Sequence, residues 1–254
     1  MDLSNLDIVK SLLRKYDQSA KKWLGQNFLT DKIALNQIVE TAQIQKSDQI
    51  IEIGPGLGVL TKELTEKSNH VLSIELDSTL IPILKETAPN ATITHEDALR
   101  FEPPKTPYKV VANIPYNITS PLINHFLQAE NPPQSMTLLV QKEVAEKICD
   151  IEPEMTVLSL QIHLFADAKY IATVPSHSFH PAPKVDSAIL HIELNQKCER
   201  KQALEILKLA KRAFLGRRKK LSNTIPDLKD KLIKLGLTNM RPQHLSVEDW
   251  KKLI

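Results

Sequence analysis

The chain has 254 residues, 42% of them hydrophobic and 25% charged, with a formal net charge of +3; these values fit a globular protein with a sizeable core and exclude a wholly disordered or fibrous chain. No apolar run approaches the roughly 18 residues of a membrane helix, and the opening MDLSNLDIVKSLLRKY mixes apolar with charged residues where a secretory signal would be apolar, so a cytoplasmic protein with no membrane partner is expected. Cys149 and Cys198 lie far apart and outside any paired-ligand spacing, which predicts plain thiols and no metal site.

In chain order, residues 31–42 carry Ile33, Ala34, Ile38 and Val39 at helical spacing and predict a helix that covers a sheet. From residue 49 onward, short runs rich in β-branched residues at 49–53, 70–74, 91–94, 109–112 and 136–140 alternate with helical patterns at 57–66, 78–87, 121–128 and 142–149. Strand and helix in alternation predict an α/β fold with a parallel sheet. Two further strands at 168–174 and 185–194, joined through PSHSFHPAPK, are expected to close that sheet antiparallel. Beyond residue 195 the chain changes to amphipathic stretches, with Leu204, Leu207, Ala210 and Phe214 at helical spacing, and predicts a small all-helical domain.

Gly54, Gly56 and Gly58 in DQIIEIGPGLGVLT stand between a predicted strand and a predicted helix, where an α/β sheet binds a nucleotide-like ligand. Glycine suits such a turn because it tolerates left-handed backbone angles and lets a ligand approach the main chain, although the same triplet also serves as a purely structural turn. The dinucleotide fingerprint would need glycine in place of Val59, and a phosphate loop would need a glycine-lysine pair at Val59 and Leu60. Neither is present. Glu75 ends the next strand about 20 residues on, where a carboxylate can accept the ribose hydroxyls, and Asp97 in THEDAL stands where it can accept from an adenine amine. An adenosine without pyrophosphate fits this set, and S-adenosylmethionine is the candidate cofactor.

The fourth predicted strand of this series ends in Asn113-Ile114-Pro115-Tyr116. An exocyclic amine of adenine or cytosine is a poor nucleophile because its lone pair is delocalised into the ring. Two acceptors that hold its hydrogens would aim that pair at a methyl donor. The Asn113 side-chain carbonyl is one; the main-chain carbonyl of Ile114, kept extended by Pro115, is the other. Tyr116 offers a flat ring to a base taken out of its stack. The alternative is a plain turn, since Asn and Pro both favour turns.

With these segments the chain resembles the ribosomal RNA adenine dimethyltransferases, and most of all their small-subunit branch. KKWLGQNFLTD, EIGPGLGVLT, SIELD, EDAL, NIPYNITSPL, QKEVAEKI, FHPAPKVDSA and RRKKLSN carry the resemblance in order along most of the sequence. It implies a Rossmann-like S-adenosylmethionine-dependent methyltransferase domain over residues 1–195 and a helical RNA-binding domain over 196–254. It further implies that Asn27 and Leu29 join Gly54, Gly56, Gly58, Glu75, Asp97 and Asn113 around the cofactor, and that Phe179 faces Tyr116 across the target base. Arg217, Arg218, Lys219 and Lys220, otherwise readable as a solvated face, become expected phosphate contacts. The implied substrate is a pair of adjacent adenosines in a 3′-terminal hairpin of 16S RNA, methylated to N6,N6-dimethyladenosine on the small ribosomal subunit by a monomer.

Two features depart from the family pattern: Met155-Thr156-Val157, where relatives carry a small polar and basic segment, and a short carboxyl terminus. Two rival readings remain open. The large-subunit adenine dimethyltransferases of macrolide resistance share the glycine loop and NIPY elements, and a non-catalytic RNA-binding assembly protein would share the fold.

Overall fold

The computed structural model describes residues 1–195 and 198–254. Its chain opens with α1 (Leu6–Lys15), whose Asn5 cap accepts from the Asp7 and Ile8 N–H groups and whose Val9, Leu12 and Leu13 are buried on one face. A short strand β1 (Phe28–Leu29) leads to α2 (Lys32–Thr41), capped by Asp31 and burying Ala34, Leu35, Ile38 and Val39. The alternation then runs β2 (Gln49–Ile53), α3 (Val59–Lys67), β3 (His70–Glu75), α4 (Ile81–Thr87), β4 (Thr92–His95), β5 (Lys109–Asn113), α5 (Thr119–Leu127), β6 (Ser135–Gln141) and α6 (Lys142–Cys149). These elements agree with the periodicity to within two residues at most ends. Helix α5 starts at Thr119, ahead of Pro121, because a proline in the first turn lacks only an N–H that would be unpaired there anyway.

The sheet has seven strands in the order β4-β3-β2-β5-β6-β9-β7, where β7 is Ala166–Val174 and β9 is Ser187–Leu194. The pairs β3/β4, β2/β3, β2/β5 and β5/β6 are parallel. Strand order reverses between β2 and β5, so the loops after these strands open a crevice at their carboxyl ends. Central strands are mostly apolar, as strands covered on both faces are: Ile50, Ile51, Val110, Val111, Leu138 and Leu139 are fully buried. A separate two-stranded sheet pairs β1 antiparallel with β8 (Phe179–His180), setting Leu29 opposite Phe179. Neither this pair nor α1 is anticipated by the periodicity above.

The chain divides into two compact units, Met1–Lys142 with Tyr170–His191, and Glu143–Lys169 with Ile192–Ile254. The segment 143–169 therefore groups with the carboxyl-terminal helices, unlike the expected division at 195/196, which itself abuts residues 196 and 197 outside the described set. The reason is α7 (Val157–Phe165), which buries Leu160, Ile162 and Leu164 and packs against α8 (Arg200–Phe214), where Ala203, Ile206, Leu207 and Ala210 are buried. An apolar helix of this kind must be covered, and α8 covers it. Phe214 stacks on the fully buried Trp250 of the last helix (Val247–Lys252) at 6.2 Å. Met155 is buried with its N–H on the Gln243 carbonyl, and Thr156 caps α7 reciprocally with Ser159, so the departure at 155–157 has a structural role in this unit. No helix among the described residues is long and apolar enough to cross a membrane. Among them, no group of three or more His, Cys, Asp or Glu is placed to hold a metal.

Candidate active site

An open cavity of about 1190 Å³, counted out to solvent, lies at the carboxyl ends of β2, β3 and β5. Its walls bring together Asn27, Leu29, Gly54, Gly56, Glu75, Asp97, Asn113, Ile114, Pro115 and Tyr116 from separated stretches of sequence. Gly58 and Phe179 are not on the wall. Gly58, at φ +88°, starts α3, and a Cβ there would meet Thr87 Oγ1 at 2.6 Å, so its glycine is required by helix packing. Phe179 is 4% exposed and packs among Leu29, Leu35, Val174 and Ile189; β8 thus holds β1, and with it Asn27 to Leu29, against the core.

The floor of the cavity is acidic. Glu75 Oε2 accepts the Gly56 N–H at 3.1 Å and Oε1 accepts the Asp77 N–H at 2.8 Å, which fixes the carboxylate at the end of β3. Burial raises its pKa, and those main-chain donors oppose the rise. Glu52, in the middle of β2, is 1% exposed and lines the same cavity. Burial pushes its carboxyl up to about 7, only partly offset by the Ser73 hydroxyl, which donates to Oε2 at 2.7 Å, and by the nearby Thr61 hydroxyl. Its Oε1 has no hydrogen-bond partner among the described residues. Asp97 accepts from the Leu99 N–H at 2.9 Å and keeps its carboxylate half-exposed at the rim.

At the neck between glycine loop and tyrosine, the Asn113 side-chain amide donates to the Asn27 carbonyl at 3.2 Å. That bond fixes the amide plane and reserves Oδ1 as an acceptor. Tyr116 donates to or accepts from Ser187 Oγ at 2.6 Å, so its ring is tethered at the far end. Gly25, at φ +69°, lets the amino-terminal segment press on this neck: a Cβ there would stand 3.3 Å from Pro115 Cβ. The segment is clamped from outside by Asp77, whose two oxygens take Lys21 Nζ at 2.7 Å and Gln26 Nε2 at 2.8 Å.

Sequence reasoning missed Glu52, Gln26, Asp77 and Ser187. Glu52 left a signal, a charge inside an otherwise apolar strand; the other three tie the site together through partners 51 to 71 positions away. Arg217, Arg218, Lys219 and Lys220 are all exposed in the second unit, where Arg217 meets Gln243 and Lys220 meets Asn239.

Sheet order, glycine turn and acidic strand ends together define a Rossmann-like methyltransferase fold. The family model for ribosomal RNA adenine dimethylase matches residues 17–253. The chain is 38% identical to ribosomal RNA small subunit methyltransferase A of Dehalococcoides mccartyi strain BAV1, over 96% of this chain and 90% of that protein. Among solved structures it is similar to a dimethyladenosine transferase from Plasmodium falciparum (26% identity, TM-score 0.77, covering 89% of this chain and 95% of that one) and to the 23S rRNA methyltransferase ErmE (27%, TM-score 0.75, 89% and 98%). The chain belongs to the ribosomal RNA adenine dimethylase family.

Proposed function

We propose that this protein methylates the exocyclic amines of two adjacent adenosines in a 3′-terminal hairpin of small-subunit ribosomal RNA, giving N6,N6-dimethyladenosine, with S-adenosylmethionine as donor. The observation that carries the reading is the Asn113 amide held by the Asn27 carbonyl beside a tethered Tyr116 ring. The cavity suits that cofactor: the Glu52 carboxyl with an unpartnered oxygen complements a ligand ammonium, the anchored Glu75 complements a ribose diol, and Asp97 an adenine amine. When bound, the cofactor supplies an electrophilic sulfonium methyl.

The chain's own residues do the rest. Tyr116 receives the extruded base on its ring, a stacking contribution of about 1–3 kcal/mol. Asn113 Oδ1 and the Ile114 carbonyl accept the two amine hydrogens and turn the nitrogen lone pair toward the methyl group. Positioning supplies the rate enhancement, and no covalent enzyme intermediate or strong general base is required. The exposed Arg217–Lys220 run is assigned to RNA phosphates, and the protein to the cytoplasm as a monomer working on the small ribosomal subunit.

Transfer of labelled methyl groups to immature small subunits, with protein-free large-subunit RNA in parallel and nucleoside analysis of both, tests the proposal. Dimethyladenosine in the small-subunit sample alone is expected. Product in the large-subunit RNA alone would assign the chain to the macrolide-resistance branch.

A further inference from the structure

Two observations about the amino-terminal segment find no use in the chemistry above. Trp23 is 77% exposed, in a chain whose only other tryptophan, Trp250, is completely buried. The backbone turn that carries Trp23 is also tied down. The turn Lys22–Leu24 closes through the Leu24 N–H on the Lys21 carbonyl at 3.0 Å and the Gly25 N–H on the Lys22 carbonyl at 3.0 Å. Gln26 Oε1 accepts the Lys21 N–H, and Asp77 anchors both ends of the turn through Lys21 Nζ and Gln26 Nε2. A large aromatic side chain on a tied-down turn contributes little to folding while it stands in water.

Its place gives it a use. Leu24 and Gly25 already line the cavity, and Gly25 abuts Pro115, so Trp23 stands two residues, at most about 7 Å of chain, from the neck where the target base is held. The two neighbouring lysines have separate roles: Lys21 is consumed by Asp77 and Thr79, whereas Lys22, the residue before the tryptophan on the same turn, is exposed. A flat apolar ring next to a free positive charge is the pairing that binds single-stranded RNA, the ring taking a base face and the cation a phosphate. A base extruded into the cavity leaves neighbouring nucleotides unpaired at its mouth.

We propose that Trp23 is a stacking platform for an unpaired nucleotide flanking the target adenosine, with Lys22 on its phosphate and the Asp77 clamp holding the platform at the cavity mouth. The proposal rests on the function proposed above. It is read separately from methyl transfer, because Trp23 supplies the iodide-accessible tryptophan emission of the chain.

The wild-type protein, without cofactor, is titrated with a short oligoadenylate and with protein-free small-subunit RNA while emission and iodide quenching are followed. Both RNAs are expected to quench Trp23 and shield it from iodide, and Trp23→Phe is expected to bind them nearly as well as wild type. In methylation assays Trp23→Ala should raise the KM for RNA about tenfold, as loss of one stacked base does, with a smaller effect on kcat and cofactor affinity unchanged. RNA binding that leaves Trp23 emission and iodide access untouched, or a Trp23→Ala protein with wild-type KM for RNA, would overturn the platform. Absence of dimethyladenosine despite the emission change would overturn the proposed reaction and leave the platform standing.

Discussion

At the residue scale, Asn113 and Glu52 show how differently two polar groups on one cavity wall can work. Asn113 gives an N–H to the Asn27 carbonyl, so its value lies in the direction of Oδ1, which matters only while the amine is being aimed. Asn113→Ala is therefore expected to lower kcat on the order of 100-fold while changing the dissociation constant of S-adenosylmethionine several-fold at most. Single-turnover transfer and calorimetry measure the two, and equal losses would remove the orienting role. Glu52 differs because its environment sets its charge. Its folded-state pKa of about 7 lies above the ordinary carboxyl value of 4.5, so between those limits the folded chain holds a proton that the unfolded chain has released. Stability contributed by the protonated form is complete below about pH 4.5 and is lost as pH rises through about 7. Glu52→Gln should flatten that part of the stability profile in urea titrations, and an unchanged slope would show that Glu52 does not carry it.

At the scale of elements, the short connections after strands set the site, and each has a packing reason independent of any ligand. The turn after β2 reaches α3 through Gly58, whose positive φ and lack of Cβ admit Thr87 from α4. Gly58→Ala should cost about 1–3 kcal/mol of stability, read as a lowered denaturation midpoint, with cofactor affinity in the surviving folded protein changed less than by loss of Glu75. The end of β3 carries a different device, since Asp77 gives its N–H to Glu75 and its carboxylate to Lys21 and Gln26. Burial pushes this carboxyl up, but the Lys21, Thr79 and Gln26 side chains outweigh it and hold the group below the usual carboxylate range. Asp77→Ala should release the 21–26 turn, seen as faster tryptic cleavage after Lys21 and Lys22 and a weaker KM for both substrates. Wild-type cleavage kinetics in that variant would mean that the turn is held by other interactions.

At the scale of the molecule, charge is partitioned between the units. The net charge of +3 is small, yet the exposed Arg217, Arg218, Lys219 and Lys220 crowd into four consecutive positions of the second unit. Replacing these four with glutamine is expected to weaken binding to small-subunit RNA and to reduce the slope of log affinity against log salt by about 0.7–0.9 for each phosphate no longer neutralised. A slope equal to that of wild type would make the run a solubilising surface.

The sequence by itself determined the parallel strand-helix alternation from residue 49 onward, the strand-end positions of Glu75, Asp97 and Asn113, and family membership, because periodicity and short motifs are local properties that a linear reading contains. The helical segment 157–165 stayed hidden because its apolar residues run nearly all round and follow no single-faced period. Only the tertiary structure decided that Glu52 shares a cavity with Glu75, that Phe179 belongs to the core beside β1, and that Asp77 clamps a turn 51 to 56 residues earlier. Each depends on which side chains meet across strand order and crossover, and on the burial that follows, and neither spacing nor composition carries that information.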